Sequence, residues 1–389
     1  MTTLANLATE LIELVCEFAA EYAREDWEFR LGSNGDANVR ASFVSRHLVG
    51  LPLIHPRWTV PGQKALYRYV CLMNAVRYKA FQESLTQYPH NGRYVRALLI
   101  DWGIQDYGGP DGYSYKVLGW FHEMEIQQVV RLCPFLEQFY PGRNSPVISQ
   151  EGIAALGSVD SIRSITWRRA DFQKYGDAVN RAQSSWPHLD TVEIFESLTE
   201  DDFKYVRNIS TRLRSLKVHN TQLEYELQKN RELWSFCNLR EFHLSMSSLP
   251  IGWTTPPILR FCGSNITTLS LPSNTLDYYR DIFGEFLNQL TPRLENLRLF
   301  VSFVLTLDWG ERFQSPSRYY QTPRNYPWHS KSLRSVSIGL HDVETMPLYV
   351  QYAVNAFIRP DAFPNVRKVL ISWRDANGEL QIRNVMNHE

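Results

Sequence analysis

One six-residue pattern recurs along most of this chain, with apolar residues at its first, fourth and sixth positions. The first positions fall at residues 95, 136, 162, 189, 213, 239, 266, 294, 333 and 366. Because 44% of the residues are apolar, chance alone would give such a pattern at about one start in twelve. Six consecutive steps between copies, however, measure 24 to 28 residues. Self-similarity at a period of this length indicates a repeat array.

Each copy predicts a short strand. Clear examples are Leu213/Leu216/Val218, Leu239/Phe242/Leu244 and Leu294/Leu297/Leu299. Successive side chains leave a strand on opposite faces, so the fourth and sixth positions point to the same side. The tract from about residue 94 to 372 resembles leucine-rich repeats of the irregular kind. That resemblance implies an α/β fold, a solenoid whose parallel strands form a curved sheet.

The segments between the strands favour helices and two inserted loops. Thr199 is placed to cap a helix that begins with Glu200, Asp201 and Asp202, where acidic side chains suit the helix dipole. A single strand–turn–helix unit cannot bury its own apolar face, so neighbouring units must stack. The two long steps contain residues 108–112 and 316–327, which we expect to be loops that shape a binding surface.

The N-terminal region has a different pattern. Apolar residues separated by three or four positions predict one helix, with the members Leu4, Leu7, Leu11, Leu14, Val15 and Phe18. Residues 21–42 are polar and are interpreted as a loop or mobile insertion. Apolar residues return between 43 and 70 and indicate two or three more short helices. Residues 76–93 are expected to form a connecting helix.

Two N-terminal segments resemble the F-box. The string Leu7-Ala8-Thr9-Glu10-Leu11 is similar to its opening, with Ala8 where the family has Pro. The second half is similar to residues 48–70, where His55-Pro56-Arg57-Trp58 replaces the usual Cys-Arg-x-Trp. The resemblance implies an all-α module over residues 1–75, ahead of a solenoid over 94–389. It also implies a Skp-type adaptor of an SCF ubiquitin ligase as partner, facing Leu7, Leu11, Ile12, Val15, Leu51 and Ile54.

Two other interpretations of the chain remain open. Terminal repeats of a solenoid need an element that shields their end from water, so residues 1–75 could form a cap of an interaction scaffold unrelated to ubiquitin. An enzyme with its site on the inserted loops is the third interpretation. The sequence contains no GxSxG, GxxxxGK[ST], GxGxxG or HExxH string, which are motifs of known catalytic sites. We therefore expect a non-enzymatic protein without catalytic, cofactor-binding or metal-binding residues.

Side chains that alternate with the buried strand positions are candidates for contact with a protein substrate. The selected residues are Arg168, Phe195, Lys217, His219, His243, Arg298 and Phe300. They mix charges with a slight basic excess, which favours a protein partner over a phosphate-rich one.

Charge and cysteine content bear on partners and location. Lys plus Arg and Asp plus Glu number 41 each, so the chain as a whole has no net field that would attract nucleic acid or an anionic membrane. The first 20 residues lack the basic start of a secretory signal. The five cysteines are far apart, which is typical of buried thiols in a reducing compartment. We expect a cytoplasmic or nuclear protein.

Overall fold

The computed structural model describes residues 7–34, 51–72, 75–100, 123–142, 145–195, 198–218, 229–244, 263–272, 291–300, 328–339, 354–374 and 380–386, with the single residues 226 and 287. The chain divides into two compact units, Met1–Phe195 and Glu196–Glu389. Each unit is described by itself.

The first unit alternates helices with parallel strands. Its helices are α1 (Thr9–Asn34), α2 (Pro56–Arg68), α3 (Ala75–Gln87), α4 (Gln127–Leu132), α5 (Gln150–Gly157) and α6 (Arg169–Ser185). Its strands are β1 (Tyr69–Leu72), β2 (Ala97–Ile100), β3 (Gln138–Pro141), β4 (Ser164–Arg168) and β5 (Thr191–Phe195). Short 3-10 turns cover Leu51–Leu53 and Pro89–Tyr94. The strands pair in parallel and in chain order.

The second unit continues the strand pattern. It contains α7 (Glu200–Arg207), β6 (Ser215–Val218), β7 (Glu241–Leu244), β8 (Thr268–Pro272), β9 (Asn296–Phe300), β10 (Ser335–Gly339), β11 (Lys368–Arg374) and β12 (Leu380–Asn384). Two 3-10 turns, Arg231–Leu233 and Gly263–Asn265, precede β7 and β8. Strands β6 to β11 are parallel neighbours in chain order, and β12 is antiparallel to β11.

The strand register reproduces the sequence repeat. Leu98 is paired with Phe139, Phe139 with Ile165, and Ile165 with Val192. The second unit keeps the same alignment from Leu216 through Phe242, Leu269, Leu297 and Val336 to Val369. All these residues occupy the fourth position of the pattern, and all are buried. Stacking equivalent positions lets each unit bury the apolar face that it could not bury alone.

Backbone hydrogen bonds fix this register just before each strand. The amides of Arg240 and Glu241 both donate to the carbonyl of Arg214, at 2.8 and 3.0 Å. The amides of Thr267 and Thr268 donate to Arg240 in the same way, at 2.8 and 3.1 Å. Each repeat is therefore attached to the previous one by the same backbone positions.

The ten predicted strands and the α/β repeat fold are confirmed. Each of β2 to β11 begins two residues after the first apolar position of its copy. The predicted helix start at Thr199 is also confirmed, because the Thr199 hydroxyl donates to the carboxylate of Asp202 at 2.6 Å and the Thr199 amide does so at 2.9 Å. The inserted loops at 108–112 and 316–327 lie outside the described residues.

Two expectations about the N-terminal region were wrong. Residues 21–34 belong to α1 rather than to a loop, because Glu21 is held by Arg68 and Tyr69 and the following residues include good helix formers. Residues 69–72 form strand β1 rather than the end of a helix. Tyr67/Val70/Leu72 is an additional copy of the apolar pattern, 28 residues before the copy at 95, and Val70 is paired with Leu98. The sheet therefore begins inside the expected all-α module.

Helix α2 begins at the part of the F-box resemblance that departs from the family. His55 is its N-cap, and the His55 Nδ1 atom accepts a hydrogen bond from the amide of Arg57 at 3.3 Å. Pro56 follows at the first helical position, where its missing N–H has no cost. Gly62 lets the helix approach the 51–53 turn closely, since a Cβ atom there would lie 2.6 Å from the Pro52 nitrogen.

Candidate functional site

Helix α1 has one face that belongs to the core of the first unit. Ile12, Cys16 and Ala20 follow each other at intervals of four residues and are buried. They form one cluster with Trp58 and Ala65 of α2 and with side chains of two strands, namely Ala97, Leu99 and Tyr140. The N-terminal helices are therefore part of the same packed unit as the first strands.

The cluster contacts the outward strand face, by which we mean the side chains that alternate with the buried pattern residues. On β2, Ala97 and Leu99 alternate with the pattern residues Leu98 and Ile100. On β3, Tyr140 follows the pattern residue Phe139. Helices α1 and α2 thus cover the outward strand face of β2 and β3.

Polar pairs join α1 to α2 and β1 along the edge of this contact. Arg57 donates to the Thr9 hydroxyl at 3.1 Å, and Lys64 bridges to Glu13 at 3.3 Å. The Tyr69 hydroxyl donates to Glu21 at 2.6 Å. Burial, aided by this hydrogen bond, raises the pKa of Tyr69 to about 12. Exposed ion pairs contribute little stability, so these contacts orient α1 while the apolar cluster holds it.

The opposite side of α1 carries a second apolar face. The α1 apolar face consists of Leu11, Leu14, Val15 and Phe18, which are spaced by three or four residues and therefore lie side by side. The exposed fraction is 49% for Leu11 and reaches 67% for Phe18. Leu53 and Ile54, in and just after the 51–53 turn, and Val60 of α2 are also exposed. This is an unusual density of exposed large apolar side chains for one helix and its neighbours.

The six predicted adaptor-facing residues separate into three groups. Leu11, Val15 and Ile54 are exposed. Leu7 and Leu51 are half-buried and pack against the core cluster. Ile12 is 0% exposed, so its selection for adaptor contact was wrong: it lies on the inner face of α1. Leu14 and Phe18 were absent from the predicted set, although their spacing from Leu11 places them on the same face.

Arg168 was wrongly selected for substrate contact. It is 4% exposed and forms a buried ion pair with Asp171, with 3.0 Å between Nη2 and Oδ1. Asp171 also accepts the amide of Ile148 at 3.0 Å, and Arg168 Nη2 donates to the carbonyl of Pro146. The Arg168–Asp171 pair therefore stabilises the start of α6 and the segment before α5 that contains Pro146 and Ile148.

Phe195 was also wrongly placed on an open surface, because it is 8% exposed. Its neighbours on the outward strand face are buried as well. The Thr166 hydroxyl donates to Glu193 at 3.2 Å, and both residues are almost fully enclosed. In the first unit, the described part of the outward strand face is thus mostly covered.

The second unit leaves this face more accessible. Lys217 and His243 are half-buried and lie opposite each other on β6 and β7. Arg298 on β9 is exposed. His219 lies outside the described residues, and only the backbone of Phe300 is described. Three of the seven candidate residues are therefore found where a partner could reach them.

The described ranges contain neither a cluster of metal ligands nor a helix that could span a membrane. No group of three or more His, Cys, Asp or Glu side chains there is arranged to hold a metal ion. None of the helices described is long and apolar enough to cross a bilayer.

Comparison with known proteins gives structural neighbours only. No family model and no curated protein matches the chain. A leucine-rich repeat-containing protein, LegL7 from Legionella pneumophila, is 15% identical with a TM-score of 0.43, over 77% of this chain and 88% of that chain. The TLR13–ssRNA13 complex is 16% identical with a TM-score of 0.31, over 54% of this chain and 30% of that chain. The assignment of the fold therefore rests on the strand register of this chain.

Proposed function

We propose that this protein is a non-enzymatic interaction subunit that joins an adaptor to a protein partner, as the substrate receptor of an SCF-type ubiquitin ligase does. The adaptor would dock on the N-terminal helices, and the repeats would hold the protein to be modified. The α1 apolar face carries the proposal, because it is exposed although the inner face of the same helix already supplies the packing that the fold needs.

The size of this face is sufficient to anchor a protein partner. Burying one large aliphatic or aromatic side chain contributes about 1.5–3 kcal/mol. Four such residues on adjacent turns can therefore anchor a partner, even after the cost of association is subtracted. Leu11 and Val15, which the F-box resemblance assigns to the adaptor, belong to this face, and Ile54 is exposed as well. This agreement supports a Skp-type adaptor as the occupant.

The described cysteines fit the compartment in which such a ligase works. Cys16 and Cys133 are buried free thiols, and Cys237 is an exposed one. Free thiols persist in reducing compartments, so the proposed role places the protein in the cytoplasm or the nucleus.

Binding of the purified full chain to a purified Skp-type adaptor tests the proposal by calorimetry. We expect Leu11→Asp and Val15→Asp each to weaken binding about thirtyfold or more, since a charge at the centre of an apolar contact costs about 2 kcal/mol or more. Val76→Asp is the matched control, because Val76 is an exposed apolar residue on another helix, α3. It should bind as the unchanged protein does.

Failure to bind the adaptor would contradict this proposal. If the unchanged chain does not bind the adaptor while an established F-box protein binds under the same conditions, the ubiquitin role is excluded. Equal melting temperatures for the three variants would show that loss of binding is not loss of fold.

A second candidate function is an interaction scaffold without a link to ubiquitin, in which the N-terminal helices are a cap. The packing of α1 and α2 on Ala97, Leu99 and Tyr140 favours this alternative, because caps shield repeat side chains from water. Under this alternative, the adaptor does not bind and Leu11→Asp has no effect on any partner held by the repeats.

A further inference from the structure

The outward strand face of the second unit carries an aligned row of polar side chains, of which Ser270 is almost fully buried. Cross-strand pairing places Lys217 opposite His243, His243 opposite Ser270, Ser270 opposite Arg298, and Arg298 opposite Ser337. We call these five residues the central row. The neighbouring row contains Glu241 and ends at Lys368, which is paired with Ser335 on β10. Along each strand, the residues of both rows alternate with the buried pattern residues, so their side chains project away from the core.

Within the described part of the chain, the fixed positive charges of this face lack ion-pair partners. Among the residues described, no carboxylate forms a salt bridge with Lys217, Arg298 or Lys368. Elsewhere in the same unit, cations do have partners: Arg334 bridges to Glu295 at 3.7 Å and Arg207 to Glu226 at 3.5 Å. Glu241 is the acidic side chain that the described part of this face contains. The described outward face therefore has a positive excess, although the whole chain has equal numbers of acidic and basic residues.

The two units differ in what their outward faces can offer a partner. In the first unit, Arg168 and Glu193 are buried and bonded to other groups of the protein. In the second unit, Arg298 and Lys368 are exposed and Lys217 is half-buried. A charged partner can reach Arg298 and Lys368 without first breaking an ion pair between described residues.

We infer that the central row of the second unit binds an acidic, extended segment of the partner protein. This inference rests on the proposed function, in which the repeats hold the partner. The row is charged but sparse, because His243 and the buried Ser270 lie between its two cations, Lys217 and Arg298. Such a surface suits a few spaced carboxylates, whereas the dense phosphates of nucleic acid need many more cations.

Strand spacing sets the spacing of the carboxylates. Lys217 and Arg298 lie three strands apart, on β6 and β9, which is about 14 Å at the usual distance between neighbouring strands. Two residues that are four positions apart in an extended peptide are separated by about 13 Å. The matching segment therefore has acidic side chains about four residues apart and crosses the strands.

Fluorescence anisotropy with the full chain tests this inference. The probes are a short labelled Ser/Gly peptide with two Glu residues four positions apart, its Gln counterpart, and a labelled single-stranded oligonucleotide. We expect the Glu peptide to bind more tightly than the Gln peptide, and added salt to remove the difference. The double variant Lys217→Glu with Arg298→Glu should weaken binding of the Glu peptide about tenfold, and the single variants Lys217→Gln and Arg298→Gln about two- to fivefold.

The controls separate charge at this face from charge in general. Arg293→Glu and Lys331→Glu change exposed cations in turns of the same unit, and neither should alter binding of the Glu peptide. Equal binding of the Glu and Gln peptides overturns the inference, as does tighter binding of the oligonucleotide. The inference is also overturned if Lys217→Gln and Arg298→Gln keep the melting temperature of the unchanged protein and bind the Glu peptide with unchanged affinity.

The result of the adaptor-binding experiment does not depend on the result of the peptide-binding experiment. Leu11→Asp should leave peptide binding intact, because α1 belongs to the first unit. If the adaptor binds but the Glu and Gln peptides bind equally well, only the inference of an acidic partner segment is excluded. If the Glu peptide binds more tightly but the adaptor does not bind, only the ligase role is excluded.

Discussion

Arg168 illustrates how the surroundings of a residue decide its role. Its position on β4 alternates with the buried residues Ile165 and Trp167, which would place it on an open surface in an uncovered sheet. Instead its guanidinium is enclosed with the carboxylate of Asp171, which also accepts the backbone amide of Arg168 at 3.1 Å. A buried ion pair of this kind is costly to break, because removing one partner leaves the other charge without compensation.

Substituting this arginine should therefore lower stability rather than binding. We expect Arg168→Met to reduce the free energy of unfolding by about 3–5 kcal/mol, as measured by urea denaturation. Arg163→Met is the matched control, because Arg163 is exposed just before the same strand, and its change should stay within about 0.5 kcal/mol. Equal effects of the two substitutions would contradict the buried pair.

Helix α1 is the element that connects the fold to the proposed function. Its inner face packs on two strands and on α2, while its outer face is exposed. The hydrophobic pattern of the sequence predicted the helix but did not distinguish the two faces, because both consist of apolar residues at helical spacing. Ile12 and Leu11 are neighbours in the chain, but Ile12 lies on the inner face of α1 and Leu11 lies on its outer face.

These neighbours provide a direct comparison. Ile12→Ala should lower the free energy of unfolding by about 2–5 kcal/mol, since it leaves a cavity in the core cluster. Leu11→Ala should change it by less than about 0.5 kcal/mol, because Leu11 is half exposed. Chemical denaturation of both variants measures the difference. A larger cost for Leu11→Ala would mean that the assignment of the two faces is reversed.

At the scale of the whole molecule, the repeat was predictable and the coverage of its faces was not. The repeat is visible as a short pattern that recurs at nearly regular spacing, so β2 to β11 could be predicted without knowing which segments pack together. The copy at Tyr67/Val70/Leu72 carried the same signal, but its residues also continue a helical stretch that ends at Arg68. The burial of Phe195, Arg168 and Ile12 depends on which distant segments pack there, and no local pattern records such contacts.

The core cluster that α1 shares with α2, β2 and β3 determines how truncated forms of the protein behave. Removing residues 1–50 takes away Ile12, Cys16 and Ala20, and exposes Trp58, Leu99 and Tyr140 to water. We expect this truncated chain to aggregate or to bind a hydrophobic dye, as judged by size-exclusion chromatography and fluorescence. Full-length Leu11→Asp, whose change lies on the outer face, should remain monomeric under the same conditions. A monomeric truncated chain with an unchanged melting temperature would show that α1 is dispensable for the fold.

The alignment of equivalent positions across neighbouring strands also determines where this chain can change its length. Its repeats differ between 24 and 41 residues from one strand to the next, and the additional residues all fall between strands. One residue inserted inside a strand would turn every following side chain of that strand to the opposite face, placing Leu, Val and Ile in water and polar residues in the core. Insertions and deletions between strands can accordingly accumulate during evolution and diversify the rims of the array, whereas the six-residue patterns must keep their length.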